Sequence, residues 1–167
     1  GEGVRKLDTS SAPLSTALGI LGMPGLTAYA GLLVYGEPKE NDLIVVSAAS
    51  GPVGCMVGQI AQIYGAKAVG IAGTKEKCET VINKFGFLDC INYKTENLEQ
   101  RIKEVCPNGI DVYFDNVGGE TLNIMTRNLA MYARVVLCGF MTQYNLETPP
   151  PGPNLGPIVG SRASIKG

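Results

Sequence analysis

Histidine is absent from this sequence. That removes the residue most often used as general base, triad member or zinc ligand, so any chemistry must come from a cofactor, from residues outside the chain, or from Tyr, Lys, Asp, Glu or Cys. No pair of the five cysteines (Cys55, Cys78, Cys90, Cys106, Cys138) forms a CxxC motif. An odd, scattered set fits reduced thiols better than a disulfide frame or a metal site. An excess of charge of either sign is missing too: 14 Lys and Arg against 15 Asp and Glu leave a net charge of −1. That balance gives no electrostatic case for nucleic acid or an anionic membrane surface. No apolar run approaches the ~18–20 residues of a bilayer span, and no signal-peptide start is visible. The expected setting is the cytoplasm.

What is present is a regular alternation. An apolar helix-period pattern (Leu26, Ala30, Leu33, Val34) starts near Pro24 and stops at Gly36. "NDLIVVSA" is a short continuous apolar run, the mark of a strand buried on both faces. Then follow a helix "VGCMVGQIAQIYG" closed by Gly65, a strand "KAVGIAG", a helix "KEKCETVINKFG" closed by Gly86 and a short strand "LDCINY". A helix "NLEQRIKEVC", a strand "GIDVYFDNV", a helix "GETLNIMTRNLA" and a strand "ARVVLCGF" complete the series. Strands alternating with helices predict an α/β fold, a Rossmann-type doubly wound parallel sheet with right-handed crossovers. After Phe140 the chain becomes a proline-rich loop, and "SRASIKG" leads toward a further strand. Residues 1–22 show no strand followed by a helix and read as a segment leading in from a preceding domain. Residues 23–167 read as an excised cofactor-binding domain. No internal repeat is visible.

"SAASGPVGC" joins the first strand to its helix. Aligned on the dinucleotide fingerprint, its small positions are Ala49, Gly51 and Gly54. Gly51 admits a pyrophosphate to the backbone, Gly54 lets the helix pack closely on the strand, and Gly58 extends that edge. A bound pyrophosphate would sit at the helix N-terminus, and the fixed φ of Pro52 suits the first turn. A glycine turn without ligand is the competing reading, and the strand–turn–helix context favours a nucleotide. Cys55, at the helix start, is either a thiol of lowered pKa or a small core residue. An NAD-preferring site places an acid about 20 residues on. Here the second strand ends in Gly73-Thr74-Lys75, about 19 residues after Gly54, with Lys75 and Lys77 in place of a carboxylate. Lysines suit a ribose 2′-phosphate, which predicts NADP over NAD; the alternative is a solvated helix start. Asp115, in "YFDNVGGE", is a candidate catalytic carboxylate or a structural residue of its turn.

Several stretches in order, "GMPGLTAYAGL", "AASGPVG", "GTKEKC", "NYK", "DVYFDNVGGE" and "LCGFMTQYN…PPPGP", resemble the zinc-independent medium-chain dehydrogenase/reductases. Within them the resemblance is to the leukotriene B4 12-hydroxydehydrogenase/prostaglandin reductase (2-alkenal reductase) branch, over residues 23–153. The resemblance implies that Gly51, Pro52, Val53 and Gly54 hold the pyrophosphate of NADP. Lys77 and Tyr93 would contact the 2′-phosphate, and Asn116 the middle of the cofactor. Cys138, Gly139, Phe140, Met141, Thr142, Gln143 and Tyr144 would line the nicotinamide side, with Tyr144 reaching the substrate. It further implies a GroES-like catalytic domain ahead of this chain, a C-terminal segment returning to it, a homodimer, no metal, and a substrate loop in "ETPPPGP". The implied reaction delivers a hydride to the β-carbon of an α,β-unsaturated ketone or aldehyde. The Tyr144 phenol would then stabilise the enolate oxygen, unless it is a packing residue. Solvent supplies the proton, so no histidine is needed. An NADPH:quinone oxidoreductase or a non-catalytic NADP-sensing module are the alternatives.

Overall fold

The computed structural model describes residues 2–4 and 6–167. Gly1 and Arg5, both in the expected lead-in segment, lie outside the described residues. A 3-10 turn at Leu14–Leu18 precedes the first helix, α1 (Met23–Ala30), which continues as a wider π-type coil over Gly31–Gly36. The chain then alternates: β1 (Leu43–Val46), α2 (Gly54–Ile63), β2 (Lys67–Ala72), α3 (Lys75–Phe85), β3 (Asp89–Asn92) and α4 (Leu98–Val105). It continues through β4 (Ile110–Asp115), α5 (Gly119–Thr126), β5 (Leu129–Leu137), α6 (Gly156–Ser161) and β6 (Ser164–Lys166).

The strands form one sheet in the order β3-β2-β1-β4-β5-β6, with every neighbouring pair parallel. The order reverses between β1 and β4, so β1 and β4 flank the topological switch point where open α/β sheets bind ligands. Alternate residues of each strand feed two cores. Ile44, Val46, Val112 and Phe114 join Ala28 and Leu32 of the first helical stretch, Val57 and Ala61 of α2, and Val81 of α3. Val45, Val69, Ile91 and Tyr113 pack on Leu98 and Ile102 of α4 and on Leu122 and Met125 of α5. Both faces are therefore covered, as continuous apolar strands require.

Gly65 and Gly86 close α2 and α3 in left-handed conformations, with φ of 75° and 72°, the geometry that C-terminal glycines serve. Three local expectations are corrected. The buried stripe of the first helix is Ala28, Leu32 and Gly36, while Leu26 and Val34 are exposed. The widened π-type coil brings residues four apart onto one face. The helix after Gly118 ends at Thr126 rather than continuing through Ala130, and the fifth strand begins at Leu129 rather than Ala133. Ile110 pairs with Leu129 and Val112 with Arg134, so the strand bulges between, with Tyr132 at φ 63°. Pairing with β4 overrides the helix propensity of "NLAM". The proline-rich loop gives way to a short helix, α6, started by Pro157.

Gly58 is a packing glycine. A Cβ there would stand 2.0 Å from Phe87 Cζ, and that ring is itself buried. Gly58→Ala is expected to destabilise the fold by about 1–3 kcal/mol through overpacking. The measurement is the denaturation midpoint, and an unchanged midpoint would show that the Phe87 ring yields freely.

Candidate functional site

The chain leaves β1 through Ser47 and turns with Ala48 in the left-handed region, φ 49°. Ala49, fully buried, donates its amide to the Ile71 carbonyl at 3.1 Å and so extends the β1–β2 ladder by one step. The Gly51 carbonyl accepts from the Cys55 amide at 3.0 Å, so helical bonding starts one turn ahead of Gly54. Pro52 sits in that first turn, where a missing donor costs little. A Cβ on Gly54 would lie 2.5 Å from the Ala48 carbonyl oxygen and 2.8 Å from Ala49 Cα. That is the close packing the fingerprint demands at this position. Of the two readings of Cys55, the thiol of lowered pKa does not hold: burial pushes its pKa up, outweighing the helix start.

In front of this turn a cleft of about 390 Å³ runs across the carboxyl ends of the sheet. The β1 turn forms its floor with Ser47, Ala48, Ser50 and Gly51. On the β2–β3 side stand Thr74, Lys77, Tyr93 and Lys94; on the β4–β5 side stand Val117, Thr121, Met141 and Thr142. Thr74 caps α3, its hydroxyl accepting from the Lys77 amide at 3.3 Å, which fixes where the Lys77 side chain departs. Lys75 turns away and pairs with Glu79 at 3.9 Å. A Cβ on Gly73 would lie 3.0 Å from Tyr93 Cε1 and 3.4 Å from Lys94 Cε. A side chain at this strand tip would crowd the ends of the Tyr93 and Lys94 side chains.

The loop carrying Tyr93 and Lys94 is tied down. Glu96 accepts from the Asn92 amide at 2.7 Å and from Arg101 Nε at 2.8 Å, while Arg101 also reaches Asp89 at 2.7 Å and Glu104 at 2.8 Å. Hydrogen bonding to Glu104 leads the causes that hold the Arg101 guanidinium protonated above its ordinary range. Three carboxylates on one guanidinium form a network rather than an isolated surface pair.

Of the residues singled out from the sequence, Gly51, Lys77, Tyr93, Met141 and Thr142 line the cleft. Pro52, Val53 and Gly54 form the turn behind it. Asn116, Cys138, Gly139, Phe140, Gln143 and Tyr144 lie outside its lining, on the β4–β5 side. The Asn116 side-chain amide donates to the Ser47 carbonyl at 2.7 Å. Cys138 lines a separate groove with Thr27 and Tyr35, and burial, then the Asp115 charge, pushes its thiol pKa up. Tyr144 is 70% exposed, its phenol oxygen 2.7 Å from where a Gly139 Cβ would stand. Asp115 is fully buried and bonded only to its own surroundings, which settles its two readings in favour of structure. Lys94, which follows Tyr93 directly in "NYK", also lines the cleft, and no local motif marks it as a site residue. Among the described residues, no three His, Cys, Asp or Glu side chains gather as a possible metal site. No helix among them is long and apolar enough to cross a membrane.

The profile of the zinc-binding dehydrogenase family matches residues 52–167. The putative NADP-dependent oxidoreductase YfmJ of Bacillus subtilis (strain 168) is 49% identical over 160 residues, 95% of this chain and 47% of that protein. The NADP(+)-dependent 2-alkenal reductase of Nicotiana tabacum is 45% identical over 163 residues, 97% of this chain and 48% of that protein. CurA from Vibrio vulnificus, solved in complex with NADPH, superposes with a TM-score of 0.89 at 43% identity, covering 99% of this chain and 51% of that one. The chain thus spans about half the length of the curated relatives it matches. It belongs to the zinc-binding dehydrogenase family, on the zinc-independent medium-chain branch that includes 2-alkenal and prostaglandin reductases.

Proposed function

We propose that this chain is the NADPH-binding half of a reductase acting on C=C bonds conjugated to a ketone or aldehyde. One observation carries the reading: the cleft at the switch point gathers Lys77, Tyr93 and Lys94 at the β2–β3 side, with Gly73 rather than an acid at the tip of β2. The donor set fits a 2′-phosphorylated dinucleotide. Lys77 and Lys94 offer cations and Tyr93 a hydroxyl to the 2′-phosphate, and the Gly51–Gly54 turn offers an open backbone to the pyrophosphate. The bound nicotinamide supplies the hydride. Asn116 would contact the middle of the cofactor, the segment from Cys138 to Tyr144 would border the nicotinamide ring, and the Tyr144 phenol would donate to the substrate carbonyl oxygen as negative charge develops there. The names of the relatives support the same substrate class.

On this reading residues 1–22 lead in from a catalytic domain that completes the active site, and residues 23–167 form the cofactor domain. Two subunits associate as a homodimer in the cytoplasm. The test is an assay of the full-length protein with NADPH or NADH against a panel of enones, 2-alkenals and quinones. Expected is NADPH-dependent turnover of enones or 2-alkenals to the saturated carbonyl compound. Turnover restricted to quinones would overturn the substrate class, and equal use of NADH would overturn the cofactor.

A further inference from the structure

One fully buried ionisable group takes no part in the chemistry above. Asp115 ends β4, completely shielded from solvent. Its Oδ1 accepts from the Tyr113 hydroxyl at 2.7 Å, the Ser47 hydroxyl at 3.0 Å and the amides of Val117 and Gly118, both at 3.0 Å. Oδ2 faces the Gly118 amide at 3.1 Å. Burial, then the Asp115 charge, raises the Tyr113 phenol pKa well above its usual range, so the phenol is a permanent donor here. The main-chain carbonyl of Asp115 accepts from the Cys138 and Gly139 amides at 2.8 and 3.1 Å. The Ser47 hydroxyl oxygen in turn accepts from the Asn116 amide at 2.8 Å.

The ends of β1, β4 and β5 therefore meet at one residue. The turn that the carboxylate folds then seats the next segment. The Asn116 carbonyl accepts from the Met141 amide at 3.3 Å. The Val117 carbonyl accepts from the Thr142 amide at 3.2 Å and from its hydroxyl at 2.7 Å. Burying a carboxylate is costly unless its lone pairs are met, and all four donors here are neutral groups fixed by the backbone or the core. A satisfied buried network of this kind rigidifies what it touches.

We infer that Asp115 is a positioning residue. Through the 116–118 turn it sets the Cys138–Tyr144 segment, on the nicotinamide side, against the β1 turn on the pyrophosphate side. The inference rests on the NADPH reading. It separates the two halves of the cofactor, because the Lys77, Tyr93 and Lys94 cluster stands on the far side of the sheet order and shares none of these bonds.

The test compares NADPH with 2′,5′-ADP, which carries the adenosine with its 2′- and 5′-phosphates but no nicotinamide half, as ligands of the full-length protein. Asp115→Asn keeps the shape but turns an amide N–H toward fixed donors. Expected is a loss of about tenfold in NADPH affinity and in kcat, the size of one buried unsatisfied group, with 2′,5′-ADP affinity within about twofold. Ser47→Ala, which removes one donor without adding another, is expected to act in the same direction by about threefold and serves if Asp115→Asn does not fold. Parallel weakening of both ligands, or no change in either, would overturn the role of Asp115. A wild-type protein that binds neither ligand would instead defeat the NADPH reading itself.

Discussion

Lys77→Ala is expected to abolish most of the preference for NADPH over NADH, and the double change with Lys94→Ala to abolish the rest. A charge-assisted hydrogen bond contributes about 1.5–3 kcal/mol, and each ~1.4 kcal/mol is tenfold in affinity. Lys77 is exposed, so solvent and salt screening pull its share toward the lower end. The expected loss is thus about tenfold for Lys77→Ala and about a hundredfold for the pair. NADH, which lacks the 2′-phosphate, should bind each variant as it binds the wild type. The loss should also shrink as ionic strength rises, since a dianionic phosphate and two lysines are what is being separated. Titration of both nucleotides at two salt concentrations decides the matter. Equal wild-type affinities for NADPH and NADH, or equal losses of both in the variants, would sink the assignment.

The same region shows how far the sequence could be read. The β1–turn–α2 unit was legible because Gly54 faces a backbone contact that no other residue permits, and such constraints leave a local signature. The missing acid at the tip of β2 was legible for the same reason: its place is fixed by distance along the chain from the glycine turn. Lys94 was not, because its role depends on a loop whose shape is set by Arg101, Glu96 and Asn92, residues spread over ten positions. The start of β5 was hidden by a bulge, where pairing with β4 recruits residues of high helix propensity. The buried stripe of α1 was hidden by the π-type coil, which shifts the period away from the one assumed. Asp115 illustrates a third limit. Its position in "YFDNVGGE" marked it as notable, yet only the positions of Ser47 and Tyr113 around it distinguish a structural acceptor from a catalytic base.

Tyr144→Phe is expected to lower kcat of the full-length enzyme by about a hundredfold or more while leaving NADPH affinity within about twofold, the pattern of a lost donor to a developing oxyanion. The proposed role places the demand at one atom. As hydride reaches the β-carbon, negative charge moves to the carbonyl oxygen, and a phenol donor stabilises the charged state more than the neutral carbonyl. Tyr144 is mostly exposed at the rim on the β4–β5 side, so its packing contribution to the fold is small and the phenylalanine variant should fold normally. Its phenol is seated against Gly139, where a Cβ would stand only 2.7 Å from the oxygen. Gly139→Ala should therefore move the phenol and reproduce part of the kcat loss without removing the hydroxyl. Steady-state kinetics on a 2-alkenal, with NADPH binding measured separately, distinguishes the outcomes. An unchanged kcat in Tyr144→Phe would leave this side chain a packing residue of the loop. A loss of NADPH affinity with kcat preserved would move it from the substrate to the cofactor.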